Sequence, residues 1–225
     1  MSEYINYNSK NYEILSKKDL GSGGNWNVYS VTLKEHVIID NQSIKVFAMK
    51  ISKYYSCQTV KEYKDTYDTL KLKKIPILSF LEIATYENKD VIITEDYNLR
   101  NQDYLIVSAK YQPKDPVMAN IMKWTCIECE NEKFLSEHKL DCIKNEEQVI
   151  TELDELADLC EKNRIAISDD ALFFTVDLHS KKVFAPFLGD LDTVKCDAER
   201  FGFDASKNKD VCMNSLKEFK CNYVL

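Results

Sequence analysis

Three of the chain's five glycines fall within four positions, Gly21, Gly23 and Gly24, between two runs patterned as strands. Glycine enters backbone conformations closed to other residues, so the cluster marks a sharp reversal. Tyr12 to Leu20 leads into it, and Val28 to Leu33, alternating and β-branched, leads out. The pattern therefore predicts an antiparallel hairpin. Such a turn can be a hairpin turn and nothing more. It can also offer unobstructed backbone N–H groups to phosphate oxygens. A dinucleotide-binding fingerprint does not fit, because a strand follows the glycines where that motif needs a helix.

The rest of the first half extends this pattern. Residues 1–12 are polar and rich in Tyr and Asn, a loose arm or an early strand. Ile44 to Ile51 reads as a third strand and carries Ala48-Met49-Lys50. A lysine inside an apolar strand needs a reason, because burying an unpaired ammonium is costly. Thr59 to Leu72 has Val60, Tyr63, Tyr67 and Leu70 at helical spacing, and Ile75-Pro76 ends it. Lys89 to Thr94 and Tyr104 to Ala109 are two further strands. The expected architecture is β-β-β-α-β-β, an antiparallel sheet with one helix.

The second half opens with a helical pattern over Val117 to Trp124 and a polar, Cys-rich stretch from Cys126 to Cys142. Glu146 to Glu161 is an amphipathic helix with Val149, Ile150, Leu153, Leu156, Ala157 and Cys160 on one stripe. Leu172 to Val176 and Val183 to Leu188 form a hairpin, and Lys209 to about Lys220 a final helix. Phe187-Leu188-Gly189-Asp190-Leu191-Asp192 leaves the hairpin with two carboxylates, a donor type suited to Mg²⁺. Asp169-Asp170 precede it as an acidic turn.

Composition excludes several classes. A formal charge of −7 argues against a protein that neutralises phosphates broadly, so no nucleic-acid partner is expected. No apolar run approaches the length of a membrane span and no secretory leader is visible, so a membrane location is not expected. Eight cysteines without a leader point to reduced thiols or a metal in a cytoplasmic, reducing compartment. Cys126, Cys129, His138 and Cys142 give C-x2-C-x8-H-x3-C, ligand types that suit tetrahedral Zn²⁺; reduced structural thiols are the other reading. The three histidines are far apart and support no local motif for Cys–His hydrolysis.

Taken in order, the glycine turn, Ala48-Met49-Lys50, the helix, the strand Leu105 to Ala109, the long helix, the hairpin and Asp190-Leu191-Asp192 resemble the protein-kinase fold, over residues 13–220. The resemblance implies an α+β, two-lobed single domain over 1–225: a five-stranded antiparallel N-lobe sheet with one helix at about 12–112, then a reduced, mainly helical C-lobe at about 113–225 with a Cys-rich insert at 126–142. It is most similar to minimal effector and viral kinases with a truncated C-lobe, hence expression within, or delivery into, a host cell. It implies an ATP/Mg-dependent phosphotransferase acting on Ser/Thr of a protein substrate or, as the alternative, a pseudokinase that binds nucleotide or a regulatory protein partner. Gly21, Gly23, Gly24 and Val28 would cover the phosphates, and Lys50 would hold them, braced by Glu62 or Asp65. Asp190, Asp192 and Asp170 would hold Mg²⁺, and Asp169 or Asp170 would act at the substrate hydroxyl. An Asp near the start of the last helix, Asp210 here, would secure the catalytic-loop backbone. The family's His-Arg-Asp triplet is absent from Asn163 to Ala171, and Trp26 or Asn27 stands at the last loop glycine.

Overall fold

The computed structural model describes residues 2–22, 25–53, 57–97, 104–109 and 130–225. Gly23, Gly24, Cys126, Cys129 and the expected helix at 117–124 lie outside these residues. Two compact units divide the chain: Met1–Asp65 with Leu78–Asp96, and Thr66–Ile77 with Tyr97–Gln112 and Glu130–Leu225, the second unit taking the end of the helix that bridges 65 and 66.

In the first unit, six antiparallel strands close into a barrel: β1 (Glu3–Tyr7), β2 (Lys10–Ser22), β3 (Trp26–Ile39), β4 (Gln42–Ser52), β5 (Leu81–Tyr86) and β6 (Lys89–Thr94), in the order β1-β2-β3-β4-β6-β5. The alternation of strand side chains decides what fills it. Val31, Leu33, Phe47, Met49, Val91 and Ile93 point inward and pack with Ile5, Tyr12, Ala84 and Tyr86, all buried. A register shift between Thr32 and Val37 leaves the inward alternation of β3 unchanged through Val37 and Ile39, and turns β4 so that Ile44, as well as Phe47 and Met49, packs on the core. Closure is made by β1, which pairs with β2 along its length and with β5 through Ile5 opposite Tyr86 and Asn6 opposite Thr85. A cation–hydroxyl–carboxylate chain reinforces that seam: Lys17 Nζ donates to Tyr86 Oη at 2.6 Å, and Tyr86 donates to Glu3 at 2.8 Å.

The second unit holds a three-stranded sheet, order β10-β9-β7, built from β7 (Tyr104–Ser108), β9 (Leu172–Asp177) and β10 (Lys182–Leu188). A two-stranded pair, β8 (Ile165–Ala166) with β11 (Lys195–Cys196), stands beside it. Among the described residues there are four α-helices: α1 (Cys57–Leu72), α2 (Glu130–Glu137), α3 (Glu146–Lys162) and α4 (Asn208–Tyr223). The stripe expected on α3 is buried at Val149, Leu153, Leu156, Ala157 and Cys160. It packs with α4, whose Phe219 lies 4.9 Å from Phe174 of β9, ring centre to ring centre.

This architecture overturns the kinase-like fold and the five-stranded N-lobe sheet expected from the resemblance. The sheet of the first half is a closed six-stranded barrel. The polar stretch at 1–12 supplies the strand that closes it, and β5, which the sequence reading left without a strand, supplies the other side of the seam. β7, expected in the same sheet, pairs with β9 instead, with Val107 opposite Phe174. The second half, expected to be a reduced helical lobe, carries strands β8 to β11 beside its helices, and its β9 joins β7 of the first half in one sheet.

Candidate functional site

The inward set on β4 includes Phe47 and Met49, so Ala48 and Lys50 face outward from the barrel. Strand register then places their neighbours. Val28 of β3, Lys50 of β4 and Ile92 of β6 form one outward row, and Gly21 of β2 pairs with Val28 at its end. Ser30, Ala48 and Thr94 form the next row. Two residues separate the rows along each strand, roughly 7 Å.

α1 covers the first row through Tyr63. Lys50 Nζ donates to Tyr63 Oη at 2.7 Å and lies 4.8 Å from the centre of its ring. Trp26, on the same outward face, is buried and meets Tyr63 edge-on with ring centres 5.4 Å apart. A half-buried lysine thus has an aromatic, hydrogen-bonding seat. Glu62 and Asp65, the acids expected beside it, are exposed on α1. Tyr63 belongs to the apolar stripe read from the sequence, but that reading gave it only a packing role. Its hydroxyl was the missed signal.

Gly21 adopts φ +123°, a conformation that favours glycine, at a bulge between Asp19 and Gly21. Its N–H donates to the Asp19 carboxylate at 2.8 Å. The backbone alone therefore accounts for Gly21, whatever binds the turn. The second row ends in another pairing absent from the sequence reading. Ser30 Oγ donates to the carboxylate of Asp96, which follows β6 and is buried. Thr94 is buried too, its hydroxyl donating to the Phe80 carbonyl at 2.9 Å.

In the second unit, the acidic residues expected to bind metal sit on two short 3-10 turns at one end of the β9–β10 hairpin. Asp169 and Asp170 lie on the turn before β9, and Asp190 and Asp192 on the turn after β10. The Gly189 N–H donates to the Ala171 carbonyl at 2.8 Å and joins them. A side chain at Gly189 would fall 2.5 Å from the Phe173 ring, so glycine is what lets the strand leave there. Asp169 caps Asp170 N–H at 3.1 Å, and Asp190 accepts from Asp192 N–H at 3.4 Å. Carboxylate oxygens suit Mg²⁺, which commonly takes one or two protein carboxylates and completes its shell with water and phosphate. Among the described residues no group of three or more His, Cys, Asp or Glu is placed to hold a metal ion.

The loop preceding Asp169 is held by α4. Asn208, buried, accepts from Ile167 N–H at 3.1 Å and donates to the Ile165 carbonyl at 2.7 Å. The expected Asp210 is exposed; the residue that secures this backbone stands two positions earlier. Of the expected zinc ligands within the described residues, His138 is exposed and stacked on Phe134, and Cys142 is exposed. Burial pushes the thiols of Cys160 and Cys212 up to about 12, so both act as apolar filling rather than nucleophiles.

No protein-family model matches the chain, and no curated protein matches it. Fold and site together define a closed six-stranded antiparallel barrel with a lysine seated on its outer face. A second unit carries paired acidic turns.

Proposed function

We propose that the chain binds a nucleoside triphosphate with Mg²⁺ and transfers its terminal phosphoryl group to a protein hydroxyl, ATP being the donor expected from the sequence. The observation that carries this reading is the outward row Gly21–Val28–Lys50. It sets a cation one strand away from the glycine turn, on a face where Tyr63 orients it. An ammonium so placed suits phosphate oxygens as a point charge. Asp190 and either Asp192 or Asp170, on the paired turns of the second unit, are the carboxylates that would hold Mg²⁺, a hard cation suited to oxygen donors. Asp169 and Asp170 are the carboxylates available to accept a proton from an acceptor hydroxyl.

A second reading, a nucleotide-binding module that engages a protein partner without transfer, is favoured by one observation. Asp169 and Asp190 each accept a backbone N–H of their own turn, a local structural task. A reducing intracellular compartment is part of the proposal; Cys142, Cys160, Cys196, Cys212 and Cys221 are all free thiols. No described helix is long and apolar enough to cross a membrane.

The experiment is titration calorimetry with Mg-nucleotide, run beside transfer of labelled phosphate to generic protein substrates. Wild type is compared with Lys50→Ala and Asp190→Asn. Binding lost in Lys50→Ala, with transfer lost in both variants, supports the phosphotransferase. Lys50-dependent binding without transfer selects the module. Absence of binding in wild type defeats both readings.

A further inference from the structure

A cavity of about 340 Å³ opens in the second unit, between the end of α3 and the segment 198–206. That volume is at the small end of ligand sites and has room for one long side chain. Its position follows from the chain. Arg164, just past α3, turns left-handed at φ +56°, and its carbonyl accepts from Ala198 N–H at 2.8 Å, which lays the later segment against the helix end. That segment then closes on itself. Phe203 N–H donates to the Ala198 carbonyl at 2.9 Å and Gly202 N–H to the Glu199 carbonyl at 3.2 Å, with Gly202 left-handed. The turn holds Phe203 at the cavity wall, 49 % exposed. Among the described residues its ring meets no other ring and no cation. Phe201, 58 % exposed, already carries the Arg200 guanidinium 5.7 Å from its ring centre. Two large apolar side chains left in water within three positions, with a polar rim, are the composition of an interaction surface.

Charge says what the partner offers. Glu161, Glu199 and Asp204 line the cavity with Lys162 and Arg164. Arg164 lies 3.7 Å from Glu199 with both side chains well exposed, a loose pair that is readily exchanged. Glu161 and Asp204 enter no ion pair among the described residues. Lys162 alone opposes them, and the C-terminal end of α3 adds its own partial negative charge. Asp204 is fixed in place. Its Oδ1 accepts from Ser206 N–H at 3.0 Å and from Ser206 Oγ at 2.7 Å, which leaves Oδ2 for a ligand. The bond from the Ser206 hydroxyl also holds its carboxyl below the ordinary value, so it stays ionised. We infer that this cavity docks an arginine side chain of a partner protein, its guanidinium lying on the Phe203 ring and donating to Asp204 and Glu161, with an apolar neighbour of that arginine against Phe201. Arginine suits the site better than lysine, because a planar guanidinium stacks on a ring and presents donors along its edge at once. The Arg200–Phe201 contact is the same pairing made within the chain. Nothing in this docking depends on nucleotide or Mg²⁺.

Titration calorimetry without nucleotide tests it, using acetylated and amidated peptides Gly-Leu-Xaa-Leu-Gly. Xaa is arginine, lysine, citrulline or glutamate, and spermidine serves as a free cation. Wild type should bind the arginine peptide more tightly than the lysine peptide. It should bind it at least about tenfold more tightly than the citrulline peptide, which keeps the shape and loses the charge. Amide chemical shifts should move at 161–164 and 198–206. Phe203→Leu and Asp204→Asn should each weaken the arginine peptide several-fold, with the amide spectrum elsewhere unchanged. Citrulline or glutamate bound as tightly as arginine overturns the inference. So do shifts centred elsewhere, or no binding of the arginine peptide. Lysine bound as tightly as arginine overturns the choice of side chain, and spermidine bound as tightly overturns the partner segment. The wild-type series needs no variant, so a misfolded Phe203→Leu or Asp204→Asn would not shelter the claim.

Discussion

The two units solve one problem, what to do with the edges of a sheet, in opposite ways. The barrel abolishes its edges by pairing β1 with β5, so backbone pairs with backbone at the seam. The three-stranded sheet keeps two edges and covers them chiefly with side chains, apart from Leu188 at the end of β10, whose N–H donates to the Pro76 carbonyl at 3.0 Å. On β10, the Asn145 amide donates to the Val183 carbonyl at 2.8 Å and accepts from its N–H at 3.0 Å. On β7, Asn131 donates to the Ile106 carbonyl at 3.1 Å, Glu132 accepts from Ser108 N–H at 3.0 Å, and Tyr223 donates to the Ser108 carbonyl at 3.2 Å. Closure depends on apolar fill and on a remote strand finding its register. Blocking depends on a few polar groups, buried at Asn131 and half-buried at Glu132 and Asn145. The barrel should therefore be sensitive to cavities at its seam, and the open sheet to unsatisfied or charged edge groups.

The largest effect is expected from Ile5→Ala. Ile5 is 2 % exposed and is the inward residue of the strand that closes the barrel. Loss of its buried methyl and methylene groups should cost about 3 kcal/mol, transfer and cavity together. Urea unfolding checks it. A loss under about 1 kcal/mol would mean that β1 lies on the barrel without closing it.

The open sheet should respond next, through pH. Burial holds the Glu132 carboxyl well above its ordinary 4.5, at about 7, against the lowering effect of the Ser108 N–H. A carboxyl whose folded pKa is raised binds its proton more tightly in the native state. Its contribution is full below about 4.5 and is lost as pH rises to about 7. The ionised form above that range carries a half-buried charge on the β7 edge. Wild type minus Glu132→Gln, followed by urea unfolding from pH 4 to 8, should fall by on the order of 2 kcal/mol across that window. A difference flat with pH would show that Glu132 is solvated at this edge.

These two sites also show what the sequence could and could not say. The apolar alternation of β3 and β4 was legible because both strands bury one face along most of their length. β1 was not, since only Ile5 among Glu3–Tyr7 is buried, and a single apolar residue gives no period. β5 was missed because Glu82 and Thr85 dilute its pattern. The pairing of β7 with β9 joins residues some 70 positions apart, which no local window registers. At the site, Lys50 and Asp190 stood out as charged residues next to apolar runs. Tyr63, Ser30, Asp96 and Asn208 did not, because their roles come from register and packing rather than spacing. The kinase resemblance failed for the same reason. It matched an order of local pieces, while the fold was decided by which remote edges met.

A smaller effect is expected from Gly189→Ala, at the hairpin exit of the open sheet. The new methyl would meet the Phe173 ring, itself packed among Tyr97 and Phe187 with ring centres 5.3 to 6.0 Å apart. Overpacking should cost about 1–2 kcal/mol. Adding Phe173→Leu should recover part of it, in a double-mutant cycle read by urea unfolding. Strict additivity would place the cost in the backbone and not in the ring contact.

The smallest effect returns to the barrel seam and asks whether its polar chain matters beside its apolar fill. Tyr86 is 3 % exposed, and its hydroxyl joins Lys17 of β2 to Glu3 of β1. The Tyr86 hydrogen bond, then that of Lys17, holds Glu3 below its ordinary value. Burial works against the Lys17 charge, yet its bonds to Tyr86 and Glu3 outweigh that and raise it. Tyr86→Phe keeps the ring in the core and leaves the Lys17–Glu3 pair, 3.1 Å apart and partly exposed. The loss should be about 1 kcal/mol, the net worth of a hydrogen bond, with the ion pair already present in both proteins. Glu3 contributes stability that is present above its unfolded pKa and fades as pH falls through its lowered folded value. The cost of Tyr86→Phe should therefore shrink in acid. It should change little with salt, since the Lys17–Glu3 ion pair is present in both proteins and its screening cancels in the difference. A loss above about 3 kcal/mol would reverse the contrast between the units, making the closed barrel as dependent on buried polar groups as the open sheet.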